Sequence, residues 1–395
     1  MNRIIRLMGV WSVFAAIFFG GSVWADQDVI KVGLLAPITG PTPDWGKKQV
    51  IGMEMSLEEI NKRGGIYGKP VEVVVYDSGG DADRALALYR KLVEQDKVVV
   101  VIGPLYSGPC QVLIPQTNEG KVAIIATASA KPGLSDLKKW PYGFRMTVSS
   151  EKKEVFLAKT WVEAYQIKSI VIVYDAKAAV TATLGAKLWP RIFGTLNVTV
   201  LNKDTPITFE TGQKDYSDVA KQIAEFKPGG ICISALPQEA GHLVAEIRRA
   251  GLNQPLLGSS PTASPMVIDI ANDAAEGLWA VSLFNKDDPS PRVQAYVKKF
   301  QKRCKERYPD MDCEPEQFDV AVYDILSFVV DIMKKKGIGR EPEKLQEDRK
   351  KMRDGLATMK RWRGTAGMMA FDKKGDGIRT IHILHVKNGK WQPVR

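Results

Sequence analysis

The sequence predicts an α/β protein built from two doubly wound lobes, each with a parallel sheet. Short apolar segments rich in β-branched residues, such as Val98–Gly103 and Val122–Ile125, are separated by about the length of one helix. This spacing is typical of parallel strands joined by crossover helices. The alternation of strands and helices occurs twice, and a chain of 395 residues is too long for a single hydrophobic core.

The first 25 residues have the features of a cleavable secretory signal. Arg3 and Arg6 precede an apolar stretch, Leu7–Gly20, and small residues lie near Ala25, where a signal peptidase would cut. The apolar stretch is shorter than the ~20 residues that a membrane-spanning helix requires. Because no cysteine stands at the cleavage position, we expect no lipid anchor there. We therefore expect an exported protein, cleaved after Ala25.

The first lobe begins after this segment with a repeated strand and helix unit. The pair Gly64–Gly65 closes the first helix, as glycine commonly does at helix C-termini. The elements expected here are strand Ile30–Leu35, helix Gly46–Arg63, strand Val71–Tyr76, helix Ala82–Gln95 and strand Val98–Ile102.

The second lobe repeats the unit, and two long amphipathic helices follow it. These helices need an apolar surface to cover, which the first lobe offers if the chain crosses back to it. The second lobe is expected to contain helices Lys152–Tyr165, Leu184–Ile192, Asp218–Phe226 and Glu239–Ala250, and strands Ser169–Tyr174, Val198–Asn202, Gly230–Ser234 and Leu256–Leu257. Strand Trp279–Ser282 follows, then helices Pro291–Tyr308 and Phe318–Lys336, a charged helix, and strands Gly367–Phe371, Ile378–Val386 and Trp391–Val394.

Two loops at one edge of the first sheet are candidates for a ligand site. Ser107 follows the strand that ends at Gly103, and Ala128–Ala130 follows the strand Val122–Ile125. Ligands of parallel sheets bind at the carboxyl ends of the strands, where both loops lie. The helix start beside Ser107 favours an anion, and alanines let a ligand approach the second loop's backbone. The alternative is that Ser107 only caps the helix and the loop is only a tight connection.

The charge of the chain does not indicate a nucleic-acid partner. The net charge of +11 falls to +9 when Arg3 and Arg6 are removed with the signal. Much of the remaining excess lies in Lys334–Arg363, where acidic residues are interleaved with lysines and arginines. Such mixed charge favours a solvated helical face over a surface that binds nucleic acid or a membrane.

The four cysteines predict one disulfide and no metal site. Cys304 and Cys313 flank a turn-like segment and would form a local disulfide in an oxidising compartment. Cys110 and Cys232 lie in apolar surroundings and are expected to be buried free thiols. The chain has three histidines, none near a cysteine, so we expect no zinc site and no cofactor.

A series of segments shares its order and spacing with one known family. They are Ile30–Pro41, Glu59–Asn61, Gly64–Gly68, Gly103–Ser107, Asp215–Asp218, Asp287–Pro291 and Phe371–Asp376. In these segments, which span nearly the whole mature chain, the sequence resembles the type I periplasmic binding proteins of the leucine/isoleucine/valine kind.

The resemblance implies both an architecture and a role. It implies two lobes joined by a hinge of three crossovers, which close on a solute that an inner-membrane ABC permease and ATPase then import. The expected lobes are residues 26–146 with 283–367, and residues 147–282 with 368–395. We expect a periplasmic monomer that is not an enzyme.

The resemblance also implies binding residues. Ser107 takes the position of the hydroxyl that meets the solute carboxylate, and Ala128 that of a residue whose backbone does the same. Ala130 replaces a threonine of the family, which leaves its backbone N–H, and Trp45 falls where an aromatic ring commonly covers the solute. The acidic residue that amino-acid binders use for the ammonium group is Ser260 here. The other candidate ligand-binding residues are Tyr106, Ser129, Arg145, Val180, Thr181, Pro237 and Tyr323.

Ser260 argues against an amino acid as the solute. Removing one member of a buried charge pair costs on the order of 3 to 5 kcal/mol. Unless Glu239 or Asp175 substitutes, the site should prefer a carboxylate without an ammonium group. An aromatic carboxylic acid fits Trp45 best, and branched-chain or other amino acids are the alternative. Arg145 is either a further carboxylate ligand or a crossover residue that binds backbone carbonyls.

Two further functions remain open at this point. A receptor lobe that acts as a sensor would have the same fold, and sequence does not separate it from a transport protein. A secreted hydrolase would use Ser107 or Ser149 as its nucleophile, but the chain has no nucleophile elbow and no paired carboxylates with a suitable base.

Overall fold

The computed structural model describes residues 29–394, and its two large sheets form two α/β lobes. The predicted fold class, two doubly wound parallel-sheet lobes joined by a three-crossover hinge, is confirmed. The predicted signal segment and its cleavage after Ala25 lie outside the described residues. None of the helices in residues 29–394 is both long and apolar enough to cross a membrane.

The strands and helices have the following bounds. The strands are β1 (Ile30–Ala36), β2 (Val71–Asp77), β3 (Val100–Ile102), β4 (Ala123–Ala126), β5 (Gly143–Arg145), β6 (Ser169–Asp175), β7 (Thr199–Val200), β8 (Ile207–Phe209), β9 (Gly230–Ser234), β10 (Leu256–Gly258), β11 (Leu278–Ser282), β12 (Trp362–Gly364), β13 (Gly367–Phe371), β14 (Gly377–Arg379), β15 (His382–Lys387) and β16 (Lys390–Pro393). The helices are α1 (Pro43–Lys62), α2 (Ala82–Glu94), α3 (Ser107–Gly120), α4 (Ser150–Tyr165), α5 (Ala179–Thr183), α6 (Trp189–Thr195), α7 (Ser217–Glu225), α8 (Pro237–Arg249), α9 (Pro265–Ala271), α10 (Pro291–Arg307), α11 (Gln317–Lys336) and α12 (Leu345–Thr358), and a π-helical turn, Leu184–Leu188, joins α5 to α6.

The first sheet is parallel, with strand order β2-β1-β3-β4-β5. Side chains alternate between its two faces, so Leu34 and Ile102 join one core while Leu35 and Val101 join another. Helix α11 and part of α1 cover the first face, and α2 and α3 cover the second. This is the doubly wound arrangement that the continuous apolar strands predict.

The second sheet has the order β16-β15-β11-β10-β9-β6-β7, with β8 paired to the end of β6. Its strands are parallel except β15, which pairs antiparallel to β11, and β16, which pairs antiparallel to β15. Helices α4 and α6 cover one face, around Trp161 and Trp189. Helices α7, α8 and α9 cover the other face.

Within the described residues the chain passes between the lobes three times, after β5, after β11 and after β14. After the second passage α10 and α11 return to the first lobe, as predicted. Helix α11 buries Val322 and Val329 in the first lobe's core, and α10 packs Phe300 against Ile51 and Met55 of α1.

The third crossover lies later in the chain than the expected boundary at residue 367. Strand β13 pairs with both β12 and β14, and Met369 and Phe371 belong to the core of the first lobe. Residues 368–379 therefore do not join the second lobe, contrary to the sequence-based division. The expected boundary separates two strands that are hydrogen-bonded to each other. We propose lobes of residues 29–146 with 283–379, and 147–282 with 380–394.

The predicted disulfide is present. Cys304 and Cys313 are bonded, which ties the last turn of α10 to the loop before α11. Cys110 and Cys232 are free and buried, as expected.

Candidate functional site

A cavity lies between the two lobes, at the carboxyl ends of both sheets. Its walls come from the loops that follow parallel strands and from all three crossovers. The lining residues are Trp45, Leu105, Tyr106, Ser107, Thr127, Ala128, Ala130, Thr147, Lys153, Val180, Leu236, Ser260, Pro261, Leu283, Gln317, Phe318 and Arg379. This is where the rule for ligands of parallel sheets places a binding site.

The first lobe contributes the start of α3. Ser107 is its first residue, and Tyr106 before it is in the extended conformation of an N-cap. The interpretation of Ser107 as the cap is therefore wrong. The hydroxyl of Ser107 instead accepts a hydrogen bond from the N–H of Lys131 at 3.3 Å. The unpaired N–H groups of the first turn and the positive end of the helix dipole can receive an anion here.

A tight backbone contact fixes the loop that leads to this helix start. Gly103 has φ +102°, and a Cβ atom there would lie 2.3 Å from the carbonyl oxygen of Leu35. Only glycine satisfies both conditions, so the segment leaves β3 on a fixed path toward the cavity.

The second loop of the first lobe presents small side chains to the cavity, as predicted. Ala128 and Ala130 line it, but Ser129 does not. Ser129 is buried within the lobe, where its hydroxyl donates to the carbonyl of Leu105 at 3.0 Å and contacts the thiol of Cys110 at 2.7 Å. Ser129 therefore supports the loop and does not face a ligand.

An aromatic wall stands beside these loops. The rings of Trp45 and Phe318 are 4.2 Å apart between centroids, and Leu105 packs with them. The Trp45 Nε1–H donates to Oε2 of Glu316 at 3.3 Å, which orients the indole. Tyr106 completes the wall and shares a hydrogen bond with the hydroxyl of Thr42, while burial raises the pKa of its phenol to about 12.

A buried ion pair holds Glu316 in place. Lys48 Nζ lies 2.9 Å from Oε1 of Glu316 and 3.0 Å from Oδ2 of Asp312. Burial acts to lower the pKa of Lys48, but the attraction of the two carboxylates is stronger and raises it. Since Glu316 is neutralised by Lys48, it does not offer a free negative charge to a ligand.

The second lobe contributes mainly apolar groups and Ser260. Val180 and Ser260 line the cavity as predicted, together with Leu236 and Pro261. Two other predicted residues do not reach it. Thr181 is fully buried, with its hydroxyl donating to the carbonyl of Asp175 at 3.0 Å, and Pro237 is the buried first residue of α8 behind Leu236.

Neither candidate substitute for the missing acid faces the cavity. Asp175 accepts hydrogen bonds from the N–H of Lys177 at 2.9 Å and from the hydroxyl of Thr211 at 2.5 Å. Glu239 accepts from the N–H of Gly212 at 2.9 Å. Within residues 29–394, no aspartate or glutamate is among the cavity-lining residues.

Glu154 is the carboxyl group directly behind Ser260. Its Oε1 accepts from the Ser260 N–H at 3.2 Å, and its Oε2 is buried without a hydrogen-bond partner. Burial raises the pKa of Glu154 and so favours its neutral form. Glu154 lies behind Ser260 and is not itself a lining residue of the cavity, so it does not present a carboxylate to an ammonium group there.

The cavity is lined by two cationic side chains that the sequence analysis did not predict. Lys153, in the first turn of α4, is 3% exposed, and Arg379, at the end of β14, is 7% exposed. Burial lowers the pKa of Lys153 to about 8 and that of Arg379 to about 10. A signal existed for Lys153, because it lies four residues before the apolar Leu157 and so shares its face of the predicted helix.

Arg145 is a crossover residue that binds backbone carbonyls, which is the second of the two roles considered for it, and not a ligand of the solute carboxylate. It is 1% exposed, pairs with Asp376, and donates to the carbonyls of Ser129 at 3.0 Å and Lys131 at 2.5 Å. It is not a lining residue of the cavity. Arg145 thus fixes the backbone of the small-residue loop beside the first crossover.

Tyr323 is remote from the cavity, so its prediction as a site residue is wrong. Its hydroxyl donates to Oε2 of Glu59 at 2.7 Å, and its ring packs edge-on against Tyr296. These contacts lie in a groove between α1, α10 and α11. The position of Tyr323 on α11 faces α1, away from the lobe interface.

Within residues 29–394, the Ser107 hydroxyl has no catalytic partner. In the described part of the chain, the only hydrogen bond of the Ser107 hydroxyl is with the backbone N–H of Lys131, and no histidine or carboxylate contacts it. A nucleophile requires an adjacent base. Together with the hinge, the cavity defines a two-lobed protein that binds a solute between its lobes.

Comparisons with known proteins agree with this class. The family model for periplasmic binding proteins matches residues 29–390. A relative from Pseudomonas aeruginosa, named leucine-, isoleucine-, valine-, threonine-, and alanine-binding protein, is 24% identical over 366 residues, which make up 92% of each chain. This chain belongs to the periplasmic binding protein family, as its motifs predict. The family consists of solute-binding proteins, which confirms the expectation that the chain is not an enzyme.

Solved structures establish the same fold. A branched-chain amino acid transporter substrate-binding protein from Streptococcus pneumoniae, in complex with isoleucine, has a TM-score of 0.80 at 22% identity, over 92% of this chain and 98% of that one. A solute-binding protein of an ABC transporter from R. palustris, in complex with 4-hydroxybenzoate, has a TM-score of 0.78 at 19% identity, over 93% and 96% of the two chains. The fold therefore accommodates both kinds of ligand.

Proposed function

We propose that this chain is the periplasmic solute-binding component of an ABC importer, and that it closes on a small aromatic carboxylate. The observation that carries this proposal is the charge of the cavity. Lys153 and Arg379 line it, and none of the lining residues is acidic. A buried positive site of this kind favours an anion over a zwitterion.

The walls of the cavity fit an aromatic acid. The first turn of α3 at Ser107 and the backbone of Ala128 and Ala130 offer donors to a carboxylate. Trp45 and Phe318 offer a ring surface beside these donors. Aromatic packing adds about 0.5 to 1.5 kcal/mol beyond the burial of area.

The same walls disfavour an ammonium group. Ser260 stands where amino-acid binders have an acid, and Asp175 and Glu239 are bonded elsewhere. An ammonium buried beside two cations would lose its water without gaining a partner, at a cost of about 3 to 5 kcal/mol. The partners of this protein would be the permease and ATPase of the importer, with the binding protein acting as a monomer.

Binding of branched-chain amino acids is the second candidate. The relative from Pseudomonas aeruginosa carries such a name, and Glu154 lies directly behind Ser260. If Glu154 ionised and turned its unpartnered oxygen toward the cavity, it could receive an ammonium group.

A thermal-shift screen separates the two candidates. A ligand that binds only the folded state stabilises it by RT ln(1 + [L]/Kd), so tighter ligands give larger shifts. We expect benzoate and 4-hydroxybenzoate to raise the melting temperature and leucine, isoleucine and valine to leave it unchanged. Stabilisation by the amino acids alone would contradict the proposal.

A further inference from the structure

We propose that Lys153 and Arg379 form a second anion-binding point at the hinge side of the cavity, so that the preferred solute is a dicarboxylate. This inference rests on the proposed function and narrows its substrate class. It starts from two buried cations that make no ion pair within residues 29–394, although Glu154 acts on Lys153 and Asp324 on Arg379 from a longer distance. The proposed carboxylate donors at Ser107, Ala128 and Ala130 belong to the first lobe, as does Arg379, whereas Lys153 belongs to the second lobe.

Lys153 is an unpaired ammonium group in the wall of the cavity. Within residues 29–394, its Nζ makes no hydrogen bond and no ion pair, although only 3% of the residue is exposed. The neighbouring carboxyl of Glu154 is directed to the Ser260 N–H instead. A buried cation without a partner is costly, so a site that keeps one is built to receive an anion.

Arg379 has unused donors at the same place. Its Nη1 and Nη2 reach the carbonyls of Met146 and Leu283 only at 3.5 Å, and its Nε has no hydrogen-bond partner. No carboxylate lies within ion-pair distance of it in the described part of the chain. Arg145 offers a contrast, because that guanidinium pairs with Asp376 and donates to two backbone carbonyls.

The position of Arg379 connects the second anion to lobe closure. Its own backbone is at the third crossover, while Met146 belongs to the first and Leu283 to the second. An anion bound here would contact a side chain that reaches all three crossovers. The fork of a guanidinium suits a carboxylate in particular, because it can donate two parallel hydrogen bonds.

The charge balance favours two carboxylates over one. With Lys153 and Arg379 protonated, a monocarboxylate leaves one of these two lining cations without a carboxylate in the cavity, because Glu154 and Asp324 act on them from outside the cavity lining. A dicarboxylate neutralises both cations. Enclosed charges are poorly screened by solvent, so the difference should be large.

Calorimetry with matched acids tests the inference. The probes form two pairs, benzoate against terephthalate and hexanoate against adipate. The flexible aliphatic pair tests the effect of the second carboxylate even if the rigid terephthalate is too long for the cavity. We expect at least one dicarboxylate to bind at least tenfold more tightly than its monocarboxylate partner. The variants Lys153→Met and Arg379→Met should reduce this preference to less than threefold.

Lys152 provides the matched control. It is adjacent in sequence, but its side chain is 55% exposed and pairs with Asp372 at 2.9 Å outside the cavity. Lys152→Met removes the same charge from the chain and should keep the full preference. If the Arg379 variant does not fold, Lys153→Met, which removes no hydrogen bond, decides the test.

The outcomes separate this inference from the proposed function. Equal affinities for the monocarboxylate and the dicarboxylate in both pairs would overturn the second anion-binding point, as would a preference for the dicarboxylate that persists in Lys153→Met. In either case, binding of benzoate would still support the proposed function. Binding of leucine with no response to any of the four acids would overturn both.

Discussion

Trp45 is the side chain on which the ring-binding part of the site depends. It is 4% exposed, stacks near Phe318 and is oriented by Glu316. We expect Trp45→Ala to weaken benzoate binding by about 2 kcal/mol, or roughly 30-fold, because stacking and burial are both lost.

Trp45→Phe is the control, because it keeps an aromatic surface and should lose less than fivefold in affinity. Calorimetry measures the affinities, and urea unfolding measures the stability of each variant. Unchanged benzoate affinity in a folded Trp45→Ala protein would exclude Trp45 from the site.

Lys153 gives a prediction about pH and stability. Burial lowers its pKa to about 8 from an unfolded value of 10.5, so below pH 8 the folded state carries a charge that it disfavours. Lys153→Met should therefore stabilise the ligand-free protein by about 3 kcal/mol below pH 8. The neighbouring charges that shift this pKa are Glu154, Arg145 and Arg379, and the variant retains all of them.

The stability gain should decline as the pH rises from 8 to 10.5. In this range the folded wild-type protein releases the Lys153 proton while the unfolded chain retains it. The buried positive charge therefore no longer destabilises the folded wild-type protein. Urea unfolding of both proteins across this range measures the difference. A difference that does not vary with pH would contradict the assignment of the shifted pKa to Lys153.

At the residue scale, the positions of the sequence motifs predicted the site residues that follow the strands of the first lobe. They did not predict the site residues that reach the cavity through the crossovers. Ser107, Ala128 and Trp45 lie beside strand ends that the sequence pattern locates, so they could be assigned. Lys153 and Arg379 become neighbours of the cavity only when the crossovers bring distant segments together. Tyr323 was misplaced because an apolar helix pattern does not show which partner covers each face.

At the scale of single elements, the disulfide closes a short loop at the end of α10. Cys304 and Cys313 are nine positions apart, and closure of such a loop contributes about 2 to 3 kcal/mol. We expect the double variant Cys304→Ser/Cys313→Ser to lose this amount in urea unfolding and to bind benzoate with unchanged affinity.

The wild-type protein treated with a reductant should match the double variant in stability. A loss of benzoate affinity would instead show that the disulfide positions Glu316 and Trp45 through the loop before α11. Equal free energies of unfolding with and without the bond would contradict the claim that the disulfide stabilises the fold.

Most elements were predictable because their apolar periodicity is strong, and the exceptions have physical causes. Strand β8, which has three residues, was missed because so short a segment gives little periodicity. The expected strand Ile378–Val386 is divided between β14 and β15, because the third crossover passes through it. Helix α9 was missed because a proline at its start and a length of seven residues suggest a loop.

At the scale of the whole molecule, each lobe has its own cores and three crossovers join the lobes. A cavity at the interface with this connectivity should close when a ligand bridges the lobes. Small-angle scattering should show a smaller radius of gyration with saturating benzoate than without ligand. An unchanged radius at saturation would contradict closure by a hinge.

The central claim is that the site accepts a carboxylate and rejects an ammonium group. The most direct test is calorimetric titration of one preparation at pH 7 with 4-hydroxybenzoate and with leucine. A penalty of about 3 to 5 kcal/mol for the ammonium predicts that 4-hydroxybenzoate binds at least 100-fold more tightly. Tighter binding of leucine than of 4-hydroxybenzoate would contradict the claim and identify the site as one for amino acids.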